Sequence, residues 1–150
     1  MIRRIALDTN LLVLWIIGAV ERDQIGKHKR LRSYAIADFD LLIDYLSEKE
    51  VVLTPNALTE VSNLARQGFS EPRKTDIAKE IAALVSTHEE FFIPSRQAVA
   101  IPEYSRLGLA DSVWLEIADM ETEILTVDAK LYIAALERAL PSTNFNHLRG

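Results

Sequence analysis

The chain has 150 residues, 49% of them hydrophobic and 26% charged, with a net charge of -5 and no cysteine. That balance describes one globular domain with a sizeable core, and it excludes disordered, collagenous and disulfide-stapled classes. It also excludes thiolate zinc sites and cysteine nucleophiles, suits a reducing cytoplasm, and requires any polyanion to be met by a local basic patch or a bound cation.

In chain order, the opening segment RRIALDTNLLVLWIIGAV, Arg3 to Val20, has the outline of a signal peptide or membrane anchor. Its one run without a strongly polar group, Leu11 to Val20, is half the roughly 20 residues a spanning helix needs, and a central Asp costs about 3 kcal/mol on insertion. The end, Gly18-Ala19-Val20, is also a poor cleavage site. The segment is therefore read as a buried strand, Ile5 to Leu7, ending at Asp8. A buried helix follows from about Leu11 to Ile17, with Thr9 or Asn10 as its cap. Glu21 to Arg32 reads as a polar loop with Gly26 and the basic run Lys27-His28-Lys29-Arg30-Leu31-Arg32. Ile36, Phe39, Ile43 and Leu46 recur at helical spacing and predict a helix from Ser33 to about Ser47.

Val51 to Leu53 is a short strand closed by Thr54, a natural N-cap, with Pro55 at the first helical position. The helix it opens runs to about Gln67 and stops at Gly68. The stretch GFSEPRK reads as a loop, Asp76 to His88 as a helix, FFIP (Phe91 to Pro94) as a strand, and Gln97 to Gly108 as a short helix and loop. Leu109 to Met120 is a helix, EILTV (Glu123 to Val127) a strand, Ala129 to Leu140 a helix, and NFNHL a final edge strand after Pro141. Strands that alternate with helices, and that are unbroken apolar runs, predict a three-layer α/β/α sandwich with a mainly parallel central sheet. Residues 1–150 form a single domain in this reading, and Trp15 and Trp114, on apolar helix faces, belong to its core.

In open α/β sheets the active site lies outside the carboxyl ends of the strands. This chain brings carboxylates there from four segments: Asp8 after the first strand, Glu60 on the helix after the second, Asp111 in the first turn of the helix before the fourth, and Asp128 after the fourth. Singly, Asp8 and Asp128 serve as helix caps, Asp111 as a first-turn acid, and Glu60 as part of a solvated stripe with Asn56, Asn63 and Gln67. Together they point to one cluster. Two carboxylates about 4 Å apart repel by roughly 4 kcal/mol at an effective dielectric near 20. No Lys or Arg lies within these short motifs, and His28, His88 and His147 are scattered. The economical counter-charge is a hard divalent cation, Mg²⁺ or Mn²⁺, which takes carboxylate and phosphate oxygens.

The ordered set LDTN, TPNALTEVSNL, LGLADSVWLEIA and ILTVDAKL resembles the PIN-domain family of metal-dependent nucleases, which includes the VapC-type toxins of toxin–antitoxin pairs. The resemblance spans Ile5 to about Leu140. It implies a Mg²⁺- or Mn²⁺-dependent ribonuclease, an endonuclease acting in the cytoplasm, with an antitoxin protein and a second copy of the chain (a homodimer) as partners and no membrane. The family's four acids fall on Asp8, Glu60, Asp111 and Asp128. Asp8, Asp111 and Asp128 are expected to hold the metal and Glu60 to orient or deprotonate the attacking water. Asn10 and Thr126 are expected to support these groups by hydrogen bonds and Asn63 to touch substrate. Ser112 departs from the alanine more familiar after the third acid. Asp8→Asn is expected to abolish cleavage while leaving the fold intact.

Other classes fit less well. A haloacid-dehalogenase-type phosphatase needs a second Asp two residues after the first, where this chain has Asn10, and a receiver domain needs a paired acid near its start. A catalytically idle domain of the same fold, used as a binding module or scaffold, is the alternative that keeps all four acids. The run Lys27 to Arg32 is the best candidate for gripping a phosphate backbone, although such runs are more often solvated loops.

Overall fold

A computed structural model describes all 150 residues. Five strands lie in one all-parallel sheet: β1 (Arg4–Leu7), β2 (Glu50–Leu53), β3 (Glu89–Glu90), β4 (Thr122–Thr126) and β5 (Ser142–Asn144), in the order β3-β2-β1-β4-β5. Eight helices pack on the sheet: α1 (Thr9–Val20), α2 (Ile36–Leu46), α3 (Pro55–Ala65), α4 (Glu71–Thr87), α5 (Ser95–Ala98), α6 (Tyr104–Leu107), α7 (Leu109–Ile117) and α8 (Ala129–Glu137). The three-layer parallel α/β/α architecture is the one the alternating pattern predicts. The chain builds outward from β1 through β2 to β3, then returns to β4 on the other side of β1. The β1–β4 seam is therefore the topological switch point, where the loops on neighbouring strands part and leave a crevice.

The central strands are apolar because helices cover both faces. Ile5, Ala6 and Leu7 of β1, Val51, Val52 and Leu53 of β2, and Ile124 and Leu125 of β4 are all buried. The outermost strand β3 is two exposed glutamates, a short charged edge that discourages pairing with another chain. The puzzling opening resolves on the same terms. At 12 residues and 1.5 Å per residue, α1 is about 18 Å long, and it is hydrophobic on nearly every side because it packs against α2, α3 and α4. No helix is long and apolar enough to cross a membrane.

Several boundaries differ from the sequence reading, each for a local reason. The cap of α1 is Asp8 itself, whose side chain accepts from the Thr9 N–H, so neither Thr9 nor Asn10 plays that part. In α2 the buried face is Phe39, Leu42 and Leu46, while Ile36 and Ile43 are exposed. Helix α4 begins at Glu71 and absorbs most of the expected loop, because Pro72 fits a helical first turn as well as it fits a bend. The strand expected at Phe91–Pro94 lies two residues earlier, and Phe92 is exposed. The last strand, too, lies earlier than NFNHL, with Phe145–His147 forming a 3₁₀ turn. Trp114 is buried as expected and Trp15 is half-buried against the core.

Helix α8 stops at Glu137, short of Leu140, in a Schellman turn. The N–H of Ala139 donates to Leu136 and that of Leu140 to Ala135. Ala139 occupies the left-handed position with φ 57°, which costs an L-residue roughly 1–2 kcal/mol. Ala139→Gly is accordingly expected to stabilise the protein by up to about 1 kcal/mol, after the entropy glycine loses on folding, as read by urea unfolding. The opposite holds at Gly18 inside α1, where an added Cβ would stand 2.2 Å from the Phe39 ring. Gly18→Ala gains about 1 kcal/mol of helix propensity but overpacks the α1–α2 contact by typically 1–3 kcal/mol. A net loss is expected, with Phe39→Leu in the same chain recovering part of it.

Candidate active site

The β1–β4 register runs from Arg4 opposite Thr122 to Leu7 opposite Leu125. One step further, Asp8 faces Thr126. The backbone ladder closes there with the Asp8 N–H on the Leu125 carbonyl, and the side chains continue it. The Thr126 hydroxyl donates to Asp8 Oδ2 at 2.5 Å and accepts the Asp128 N–H at 2.9 Å. The other oxygen of Asp8 accepts the Thr9 N–H at 2.7 Å. Asp128 caps α8, its Oδ1 accepting from the Lys130 and Leu131 N–H groups. Both strand-end acids are thus helix caps and, through Thr126, members of one network. Capping and clustering are not alternatives in this fold.

Asp111 arrives from α7. Gly108, with φ 81°, turns the chain out of α6 and stands at the N-cap of α7, a conformation that favours glycine. The buried Ser112 hydroxyl donates back to the Gly108 carbonyl at 2.7 Å, so the serine at this position braces the turn that presents Asp111. Glu60 comes from α3, which Thr54 starts by accepting the Ala57 N–H at 3.1 Å, with Pro55 at its head. Glu60 is exposed and shares a groove of about 610 Å³ with Asn63, Asn56 and Ala110. That groove runs beside Asp111.

Electrostatics show that the four acids form one neighbourhood. Burial pushes the Asp111 carboxyl up to about 8, with repulsion from Asp8, Asp128 and Glu60 adding to it. Asp8, 5% exposed, is also raised. Burial is the main cause, the Thr126 and Thr9 hydrogen bonds oppose it, and the charges of Asp128 and Glu60 add to it. None of the four takes part in a salt bridge, although nine such contacts occur elsewhere in the chain. No three acids or histidines are grouped as tightly as a metal shell. The donor set nevertheless suits a hard divalent cation: oxygen-only, multiply anionic and without an internal counter-ion.

The structure brings together Asp8, Glu60, Asp111, Asp128 and Thr126. Asn63 lies beside Glu60 in the same groove. Asn10 is exposed and no hydrogen bond joins it to Asp8; it lines a second groove on the opposite flank, with Lys29, Arg30, Tyr34 and Val127. Thr126 makes the supporting hydrogen bond expected of it, to Asp8 Oδ2, and this bears on the choice of variant. Asn at position 8 keeps one acceptor oxygen for the Thr9 N–H, and it keeps the second contact by donating from its amide to the Thr126 hydroxyl, which must then turn.

The raised Asp111 carboxyl makes stability depend on pH. An unfolded aspartate titrates near 3.8, whereas folded Asp111 titrates near 8, so the folded chain binds this proton more tightly between the two values. Stability of the metal-free protein should therefore fall as pH rises from about 4 to about 8 and level off above. Asp111→Asn should flatten that slope and stabilise the chain at pH 8 by roughly 1–3 kcal/mol in urea unfolding; a slope unchanged in the variant would show that this carboxyl is not the source.

No protein-family model matches the sequence, and no curated protein matches it either, so the family resemblance rests on the four quoted segments.

Proposed function

We propose that the chain is a Mg²⁺- or Mn²⁺-dependent endoribonuclease of PIN-domain type, the toxin of a toxin–antitoxin pair. The observation that carries the nuclease reading is the convergence of four unpaired carboxylates at the β1–β4 switch point, two of them with raised carboxyls. The toxin reading, the antitoxin, the homodimer and the cytoplasmic setting rest on the resemblance of the quoted motifs alone.

Asp8, Asp111 and Asp128 would hold the metal. When bound, Mg²⁺ or Mn²⁺ supplies Lewis acidity at phosphate oxygens and acidifies a water. The chain's own residues do the rest. Thr126 holds Asp8 in one rotamer by donating to Oδ2 while its lone pair fixes Asp128 through the backbone N–H, so two ligands share one brace. Glu60, exposed at the rim, is free to take a proton from the attacking water and pass it to solvent. Asn63, one turn along α3, stands where it can meet the substrate. The balanced reaction adds water across the P–O3′ bond, leaving a 5′-phosphate and a 3′-hydroxyl.

The direct experiment is incubation with single-stranded RNA oligonucleotides in Mn²⁺, in Mg²⁺ and in EDTA, with the product ends identified. Cleavage is expected with either metal and not in EDTA. Asp111→Asn should lose more than the roughly 10–100-fold that removing a supporting partner costs, with thermal stability equal to or above the parent's. Thr126→Val should cost about 10–100-fold in metal affinity. Metal at about 100 times its Kd should stabilise the parent by about 2.7 kcal/mol. A parent chain that neither cuts RNA nor gains stability with millimolar Mn²⁺ is the idle scaffold instead.

A further inference from the structure

The groove on the other flank of the acids carries the second observation. Its volume is about 750 Å³, and Asn10, Lys29, Arg30, Ser33, Tyr34 and Val127 are among the residues that line it. Asn10 is two residues beyond Asp8, and Val127 lies between Thr126 and Asp128, so one wall of the groove is the rim of the acid cluster. Tyr34 feels the Asp8 charge directly, among the causes that raise its hydroxyl, burial being the largest. Lys29 and Arg30, from the basic segment Lys27–Arg32, also line the groove.

That segment is a built surface rather than a loose solvated loop. Gly26 turns into it with φ 88°. His28, 4% exposed, is locked at both ring nitrogens: Nδ1 accepts the Arg30 N–H at 3.0 Å and Nε2 donates to the Ala65 carbonyl at the end of α3 at 3.1 Å. Those two bonds require the neutral ring with its proton on Nε2. Burial holds the ring's pKa below the ordinary value, which favours this form. Leu31 is fully buried, and His28 packs on Phe69. With Ile25, His28 and Leu31 turned inward, Lys27, Lys29, Arg30 and Arg32 face solvent. None of these four cations forms a salt bridge, in a chain with a net charge of -5. Arg149 at the groove's far end is different. It lies over the Tyr34 ring and is consumed by Asp38, Asn146 and the Ser33 carbonyl, so it shapes the wall without offering charge.

The geometry points to this groove as the seat of the RNA phosphate backbone next to the cleaved linkage, with Lys29 and Arg30 as its phosphate contacts and His28 as the positioning residue that fixes them. The inference rests on the nuclease reading for the identity of the polyanion, but it concerns binding, which needs no metal. Charge explains the division of labour. The acids repel a phosphate until a cation neutralises them, so an acidic protein needs a separate cationic surface to hold the strand in place.

The test is anisotropy of a labelled single-stranded RNA 12-mer on the full chain in EDTA, as a function of KCl. For single strands the logarithm of affinity falls with the logarithm of salt with a slope of about -0.7 per phosphate contact. Lys29→Ala with Arg30→Ala should reduce that slope by about 1.4 and raise Kd about tenfold or more near 0.1 M salt. Both side chains are exposed, so the variant should fold. The charge-matched control, Lys79→Ala with Arg96→Ala, removes two unpaired cations from other helices and should bind as the parent does. Equal weakening in the two double variants would reduce the effect to net charge and overturn the assignment, as would parent-like binding by the first. Full displacement of the RNA by millimolar inorganic phosphate would also overturn it, because that marks a single-anion pocket. Any of these results would leave Mn²⁺-dependent cleavage, and with it the nuclease reading, standing on its own measurement.

Discussion

The Thr126 hydroxyl, donating to Asp8 and accepting from the Asp128 backbone, joins residues 118 apart in sequence across the seam where the strand order reverses. Its position follows from the parallel pairing of β1 and β4, which sets Leu7 opposite Leu125 and closes with the Asp8 N–H on the Leu125 carbonyl. A buried carboxylate without partners costs several kcal/mol. Asp8 meets that cost with two short hydrogen bonds, which pull its carboxyl back toward ionisation against burial and the neighbouring charges. Asp111 has no comparable brace and is pushed up to about 8. The contrast is one of hydrogen bonding: Asp8 is held at both oxygens, and the Asp111 carboxyl is held by no side chain or backbone N–H. A cation that enters must displace the proton that folded Asp111 holds below about pH 8.

The greasy opening of the chain belongs to the same constraint. A parallel sheet with helices on both faces needs its first crossover helix buried, so α1 is apolar nearly all round, and its only charge is the cap. Asp8 can stand at the head of this helix because the first-turn N–H groups favour an anion. The residue that spoils a membrane or signal-peptide reading is thus the one that starts the helix and anchors the site.

Alternating apolar runs and helical periods made the layered fold legible, because burial on both faces removes the polar interruptions that would otherwise blur short strands. Asp8, Asp111 and Asp128 were legible because each sits at an element boundary in apolar sequence, where a charge is conspicuous, whereas Glu60 stands in mid-helix and was placed by the motif around it. What the sequence hid were matters of partner and register. Nothing local says that Ile36 and Ile43 lie outside the α2 contact, since Phe39 and Leu42 offer an equally good helical stripe. Pro72 reads as a breaker until the helix is known to start at Glu71. The edge strand at Glu89–Glu90 carries no apolar signal at all, because it is paired on one side only. Asn10 was placed with Asp8 by proximity in sequence, yet on a helix two residues apart point to different sides. The lock on His28 was equally invisible, since its partner Ala65 lies 37 residues away.

The remaining question is why the nearby cations do not neutralise the acids. Lys29 and Arg30 line the neighbouring groove, yet neither forms an ion pair with Asp8 or Asp128. His28 and Leu31 fix the backbone from which those side chains project, and the Arg30 Nε donates to Gln67 instead. Arg149, the other cation at hand, is tied by four hydrogen bonds to Asp38, Asn146 and Ser33. Each potential internal counter-ion is therefore either held apart or already paired. The acidic cluster is left without a counter-ion inside the chain, and on the proposed reading a divalent ion takes that place while the basic groove keeps its charge for a phosphate.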